Sequence, residues 1–268
     1  MARVKDVINL FKEIAPEENV VIDDYDNVGL LVGKASSEVS KVLCCLDATE
    51  EVVAEATKIG AQMIISHHPM IFAPIKSVTE ETVVGRKIIT AIENGISIYA
   101  AHTNLDFSEN GINDFVAELI GLTNVEVMDA YISKYAGLGR VGNLSAPIEV
   151  ASLKRNVENL FADKYVRLIG EPYETVERVA VINGAGGGDT AYIDMAVRAN
   201  ADCLITADVK HHVAVYAKEN GLTLIEPQHY TMEYCYISQL VDRLRDEASL
   251  QGLDVEFTQS DLDVNPRT

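Results

Sequence analysis

The hydrophobic positions of this 268-residue chain follow two rhythms, one helical and one strand-like. Val4, Val7, Ile8, Phe11 and Ile14 recur at helical spacing, which predicts an amphipathic helix near the start. Val42-Leu43-Cys44-Cys45-Leu46-Asp47 is a nearly continuous apolar run, the pattern of a strand covered on both faces of a parallel sheet. It leads into a helical pattern from Glu50 to Ile59 and then a second run, Met63-Ile64-Ile65-Ser66. Farther on, Val179-Ala180-Val181-Ile182-Asn183 passes through a glycine turn into a helical pattern from Asp189 to Ala199, followed by Cys203-Leu204-Ile205-Thr206. Each set reads as strand, turn, helix, strand. A helix is also expected from Ile148 to Phe161, a strand from Val166 to Ile169, a long helix from Tyr230 to Ala248 and a short strand over Val255-Glu256-Phe257.

The likeness between the two sets continues downstream. Glu93-Asn94-Gly95-Ile96-Ser97-Ile98 precedes His102-x-x-x-Asp106, and Glu219-Asn220-Gly221-Leu222-Thr223-Leu224 precedes His229-x-x-x-Glu233. The predicted fold class is therefore α/β, with two similar α/β halves related by an internal repeat and a site in the cleft between them. Residues 1–130 are expected to form the first half and residues 131–268 the second, joined in the Gly- and Ser-containing stretch from Tyr131 to Pro147. The loop Pro69 to Ser77 has no counterpart in the second half.

Composition narrows the function classes. A hydrophobic share of 48% with 24% charged residues suits a globular protein with a sizeable core. The net charge of −19, from 41 acidic and 22 basic side chains, repels a phosphate backbone and argues against nucleic acid as a partner. No stretch approaches the roughly 18 apolar residues needed to span a bilayer, so no membrane partner is expected. Arg3, Lys5, Asp6, Lys12 and Glu13 interrupt the first residues, unlike a signal peptide. Cys44, Cys45, Cys203 and Cys235 lack CxxC spacing and read as small buried hydrophobes of a cytoplasmic protein.

All six histidines fall in four short clusters: His67-His68, His102, His211-His212 and His229. Imidazoles and carboxylates at the ends of apolar strands are the material of a metal site. His67 and His68 follow the run Met63 to Ser66, and Pro69 then stops the strand. Successive strand residues point to opposite faces, so the pair is expected to serve two neighbouring ions and not to chelate one. Asp106 and Glu233 supply anions, and a bridging carboxylate eases the repulsion between ions about 3.5–4 Å apart. His229 and Glu233, four apart at the start of a predicted helix, share a face. His67, His68, Asp106, His229 and Glu233 thus form the expected ligand set, open to water and suited to Zn²⁺, Fe²⁺ or Mn²⁺.

His102 and His212 are expected beside the metals as catalytic proton carriers, His102 alternatively as a group that orients a metal ligand without touching the ion. Lys210, His211 and His212 stand where a strand ends and a helix begins, where a substrate-facing role for the histidines competes with a plain cap by Asp208. The stretch Gly184 to Gly188 is either a phosphate-cradling turn or a plain tight turn.

In this order, Asp26-Asn27-Val28-Gly29-Leu30-Leu31-Val32-Gly33, Ser66-His67-His68-Pro69, His102-Thr103-Asn104-Leu105-Asp106, Thr206-Ala207-Asp208-Val209-Lys210-His211-His212 and His229-Tyr230-Thr231-Met232-Glu233 resemble the motifs of the GTP cyclohydrolase 1 type 2 homologue family, also called the Nif-three-like family. The resemblance covers almost the whole chain and implies the short form without an inserted middle domain. It implies a dinuclear metal centre on the five residues above with Glu233 bridging, two related α/β halves, and a toroidal homohexamer. Tyr25 stands where the family often has Trp, Ala207 where Gly is usual, and Val213 where an acidic residue is common; none is a proposed ligand. The expected function is a metal-dependent hydrolase, GTP cyclohydrolase type 2-like, acting on a nucleotide or related heterocycle as small-molecule substrate. The alternative is a metal-binding or metal-delivery protein, for example in iron transfer, without turnover of its own.

Overall fold

The computed structural model describes residues 1–19, 26–130 and 132–267, so Tyr25 and Tyr131 lie outside the described residues. Two compact units make up the chain: residues 1–105 with 237–268, and residues 106–236.

The first unit is built on a five-stranded sheet in the order β1-β4-β3-β2-β11. Its strands are β1 (Gly29–Val32), β2 (Lys41–Asp47), β3 (Met63–His68), β4 (Ser97–Ala100) and β11 (Glu256–Gln259). β11, β2, β3 and β4 run parallel, and β1 closes one edge antiparallel to β4. Helix α2 (Glu50–Ile59) links β2 to β3, and α3 (Val83–Glu93) links β3 to β4. The local code is explicit at α2: the Thr49 hydroxyl accepts from the Val52 amide at the start, and Gly60 ends the helix in the left-handed region at φ 69°. α1 (Val4–Ile14) buries the predicted apolar face through Val4, Val7, Ile8, Phe11 and Ile14. The core gathers Leu43, Cys45, Val52, Val53, Ile64, Ile88 and Ile98.

The second unit holds a six-stranded sheet in the order β5-β6-β8-β9-β10-β7. β8 (Thr175–Val181), β9 (Cys203–Ile205) and β10 (Thr223–Glu226) are parallel; β5 (Thr123–Asp129), β6 (Leu138–Glu149) and β7 (Arg167–Ile169) pair antiparallel. Helix α7 (Thr190–Arg198) links β8 to β9, and α8 (His211–Glu219) links β9 to β10. Val141, Ala180, Ile182, Ile193, Leu204, Val213 and Leu224 form the core. Both units thus contain the strand–helix–parallel strand succession read from the apolar runs. The remaining elements are α4 (Thr103–Phe107), α5 (Ile112–Ile120), α6 (Val150–Leu160) and α9 (His229–Gln251).

The stretch expected as the join contributes β6, which pairs with both β5 and β8 and so lies inside the second unit's sheet. At the other end β11 pairs in register with β2, Phe257 opposite Val42, which returns the last residues to the first unit. No helix among the described residues is long and apolar enough to cross a membrane.

Candidate metal centre

In the first unit the ends of β3 and β4 bring three imidazoles together. One ligand atom each from His67, His68 and His102 falls within a mutual 4.8 Å. The rings of His67 and His68 lie 4.9 Å apart, so the strict strand alternation expected to separate them does not persist. The cause is the strand end: β3 pairs with β4 only as far as Ser66 opposite Ala100, and the Ser66 hydroxyl donates to the His68 carbonyl at 2.8 Å. His102, expected beside the metals, stands in the same cluster as the pair.

Each of these rings is held through Nδ1. His67 Nδ1 donates to the Ala101 carbonyl at 2.9 Å, His68 Nδ1 to Asp47 Oδ1 at 2.8 Å, and His102 Nδ1 to Asp26 Oδ1 at 2.7 Å. A ring that spends its Nδ1 proton on an oxygen presents the lone pair of Nε2, which is how neighbouring carboxylates and carbonyls orient metal-binding histidines. Asp26 also accepts from the Thr103 hydroxyl. Although burial raises its pKa, these hydrogen bonds from His102 and Thr103 hold it below the ordinary carboxylate value. The turn carrying His102 is fixed by buried Asn104, whose amide donates to the Ala15 carbonyl at 2.9 Å.

In the second unit α4, the end of β8 and the first turn of α9 assemble Asp106, Asn183, His229 and Glu233. The Asn183 amide donates to Asp106 Oδ1 at 2.9 Å and to Glu233 Oε1 at 3.2 Å. Asn113 braces both sides, accepting from the Asn183 backbone at 2.9 Å and donating to the Asp106 carbonyl at 3.1 Å. His229 Nε2 and Glu233 Oε2 are 2.9 Å apart across one helical turn, and His229 Nδ1 is 2.7 Å from Asp208 Oδ2. Burial lowers the His229 pKa, but the hydrogen bonds to Asp208 and Glu233 outweigh it and raise the value to about 10.

Backbone geometry leaves room for this arrangement. Gly184 has φ 63°, and a Cβ there would stand 2.3 Å from Glu233 Oε1 and 3.3 Å from His229 Nε2. Asp208, at φ 52°, is a non-glycine residue in the left-handed region. Buried Glu226 accepts from the next amide, Val209, at 3.0 Å and pins that loop.

The donor set suits a divalent metal. In the first unit three imidazoles have Nδ1 fixed on an oxygen, and in the second His229 stands with the Asp106 and Glu233 carboxylates; neither group uses a thiolate, as for Zn²⁺, Fe²⁺ or Mn²⁺. Cys44, Cys45 and Cys203 are buried in strands, and burial pushes the Cys44 and Cys235 thiols up to about 12, so they stay protonated.

His211 and His212 are exposed on the first turn of α8, and Lys210 is the N-cap residue there. Asp208 does not cap that helix; it orients His229. The glycine stretch is a tight turn: the Gly187 amide donates to the Ala207 carbonyl at 2.9 Å and the Gly188 amide to the Ala185 carbonyl at 3.0 Å. Those N–H groups are spent within the protein and not offered to a phosphate. Asp47, Asn113 and Asn183 were not singled out from sequence; Asp47 ends an apolar strand beside the histidine pair, a signal that was available.

The sequence family described as Duf34/NIF3 (NGG1p interacting factor 3) matches residues 2–266. The chain is 33% identical over 259 residues to the "GTP cyclohydrolase 1 type 2 homolog" of Clostridium perfringens, covering 96% of each protein. Among solved structures it is similar to Staphylococcus aureus protein SA1388, at 27% identity and a TM-score of 0.91, covering 100% of this chain and 99% of that one. It is also similar to reduced HcgD from Methanocaldococcus jannaschii, at 28% identity and a TM-score of 0.80, covering 97% and 98%.

Proposed function

The chain belongs to the Duf34/NIF3 (NGG1p interacting factor 3) family, and from that premise we propose that it holds two divalent ions and hydrolyses a nucleotide or related heterocycle. The observation that carries the reading is the shared orientation of His67, His68, His102 and His229, each with Nδ1 2.7–2.9 Å from an oxygen, the arrangement by which outer partners orient metal-binding imidazoles. The proposed ligands are His67, His68, His102, His229, Asp106 and Glu233, with Glu233 as the bridge; imidazoles bring no negative charge, and the two carboxylates bring what a pair of dications requires. His102 belongs to the ligand set, because its Nδ1 is committed to Asp26 just as that of His68 is to Asp47.

Bound ions would supply Lewis acidity and a means of ionising water near neutral pH. The chain's own residues do the rest. Asn183 holds the Asp106 and Glu233 carboxylates in one orientation, and Asp26, Asp47 and Asp208 hold the rings. His212, exposed on α8, is the remaining candidate for moving a proton. The reading includes assembly into a homohexamer in the cytoplasm.

A second reading, metal delivery, draws support from exposure: the side chains of His68, His102 and His229 remain 24%, 20% and 26% accessible. Multiple-turnover assays on metal-reconstituted protein with GTP and related heterocycles, with metal content measured before and after, separate the two. A hydrolase releases many product equivalents and keeps its metal. Loss of one ion to an apo-acceptor without turnover establishes delivery instead.

A further inference from the structure

Phe72 is the only large aromatic side chain described beside the imidazole cluster of the first unit that faces solvent, at 59% exposure. It lies three residues beyond Pro69, in the loop that has no counterpart in the second half of the chain. Its ring stands 6.1 Å from the His102 ring at an interplanar angle of 80°. Its place is built: the Asn27 amide donates to the carbonyl of the preceding residue, Ile71, at 2.6 Å across 44 residues of sequence. The next residue to Asn27 is Asp26, which orients His102 through Nδ1. One short segment therefore holds both the His102 imidazole and the backbone that leads into Phe72. Standing edge-on to His102 with its face in solvent, the Phe72 ring offers a flat apolar surface, and covering a phenylalanine gains about 1.5–3 kcal/mol.

We propose that Phe72 is the stacking platform for the planar aromatic heterocycle of the substrate, placing that ring beside His102. The inference rests on the metal-dependent reading above and narrows it to substrates with a flat heterocyclic ring. Stacking suits the position because a phenyl ring accepts any π-face without hydrogen bonds. The other exposed apolar residue of the loop, Ile75, and the neighbouring Val78 have no ring to offer.

The chain contains no tryptophan, so Phe72→Trp creates a single fluorescent reporter at this point. The full-length protein, reconstituted with Zn²⁺, is titrated with guanosine monophosphate and with ribose 5-phosphate, using the parent and the Phe72→Ala, Phe72→Leu and Phe72→Trp variants. The parent binds the nucleotide more tightly than the sugar phosphate. Phe72→Leu and Phe72→Ala weaken nucleotide binding about tenfold or more and leave ribose 5-phosphate unchanged. Phe72→Trp keeps nucleotide affinity, and its emission is quenched by the nucleotide but not by the sugar phosphate. Parent-like nucleotide affinity in Phe72→Leu overturns the proposal, because an apolar cover then suffices. So does a change of sedimentation mass in Phe72→Ala with nucleotide binding intact, which makes the ring a contact between copies. Equal binding of both probes by a parent that carries its metal rejects the platform alone; a parent that takes up no metal rejects the underlying reading.

Discussion

Asp47 and His68 are register partners on neighbouring parallel strands, and their side chains meet at 2.8 Å between Oδ1 and Nδ1. The sheet itself thus delivers the carboxylate that orients a metal-binding ring. Removing such an outer partner costs metal affinity about 10–100-fold in comparable sites. Asp47→Ala is expected to show a loss of that size in competition against a chromophoric chelator. Asp47→Asn, whose amide oxygen still accepts from Nδ1, recovers part of it. Equal affinity in Asp47→Ala and parent contradicts the orienting role.

A single amide, that of Asn183, reaches two carboxylates, at 2.9 Å to Asp106 and 3.2 Å to Glu233. Asn183→Ala leaves both acids without their common donor and removes no ligand. Metal affinity should fall about tenfold or more while metal at saturation stays at the parental stoichiometry, the pattern of a lost outer-shell contact. Calorimetric titration distinguishes this from loss of a ligand, which lowers the stoichiometry itself.

Asp163 anchors the entry to α9. Its buried carboxylate accepts from the Gln228 amide at 2.6 Å, Gln228 Nε2 at 2.9 Å, the Tyr165 amide at 2.8 Å and the Thr231 hydroxyl at 3.2 Å. Burial raises its pKa, but these donors prevail and hold it below the ordinary value of 3.8. A depressed folded-state pKa contributes stability that is present above the unfolded value and lost as pH falls through the folded one. Asp163→Asn should therefore destabilise the metal-free protein by about 1–3 kcal/mol at pH 7. The difference in denaturation midpoints between variant and parent should shrink below about pH 4. A gap that stays constant from pH 7 to pH 3 contradicts the assignment.

The elements were legible where apolar periodicity is strong. β2 and β3 appear as continuous apolar runs because parallel strands are covered on both faces, and α1 appears because Val4, Val7, Ile8, Phe11 and Ile14 bury one face. The pairing of β11 with β2 was not legible, since it rests on backbone hydrogen bonds that leave no local signature. At the site, histidine clustering marked the ring donors, but a strand's ideal alternation misplaced His67 against His68, because β3 leaves its β4 partner after Ser66. Asp208 looked like a helix cap by position, yet its left-handed backbone turns the carboxylate to His229. Asn183 was hidden because its role depends on residues 70 and 50 positions away, Asn113 and Glu233.

The central claim is that these side chains hold two ions per chain, and the direct measurement is elemental analysis of anaerobically purified protein after reloading with Zn²⁺, Fe²⁺ and Mn²⁺ in turn. The account expects about two equivalents with at least one of these metals, in keeping with two-metal sites built on a bridging carboxylate. Glu233→Gln should lose both equivalents, since a neutral amide bridges cations poorly, whereas Cys235→Ala should match the parent. Trace metal in the parent after all three reloadings, or equal stoichiometry in Glu233→Gln and Cys235→Ala, would contradict it.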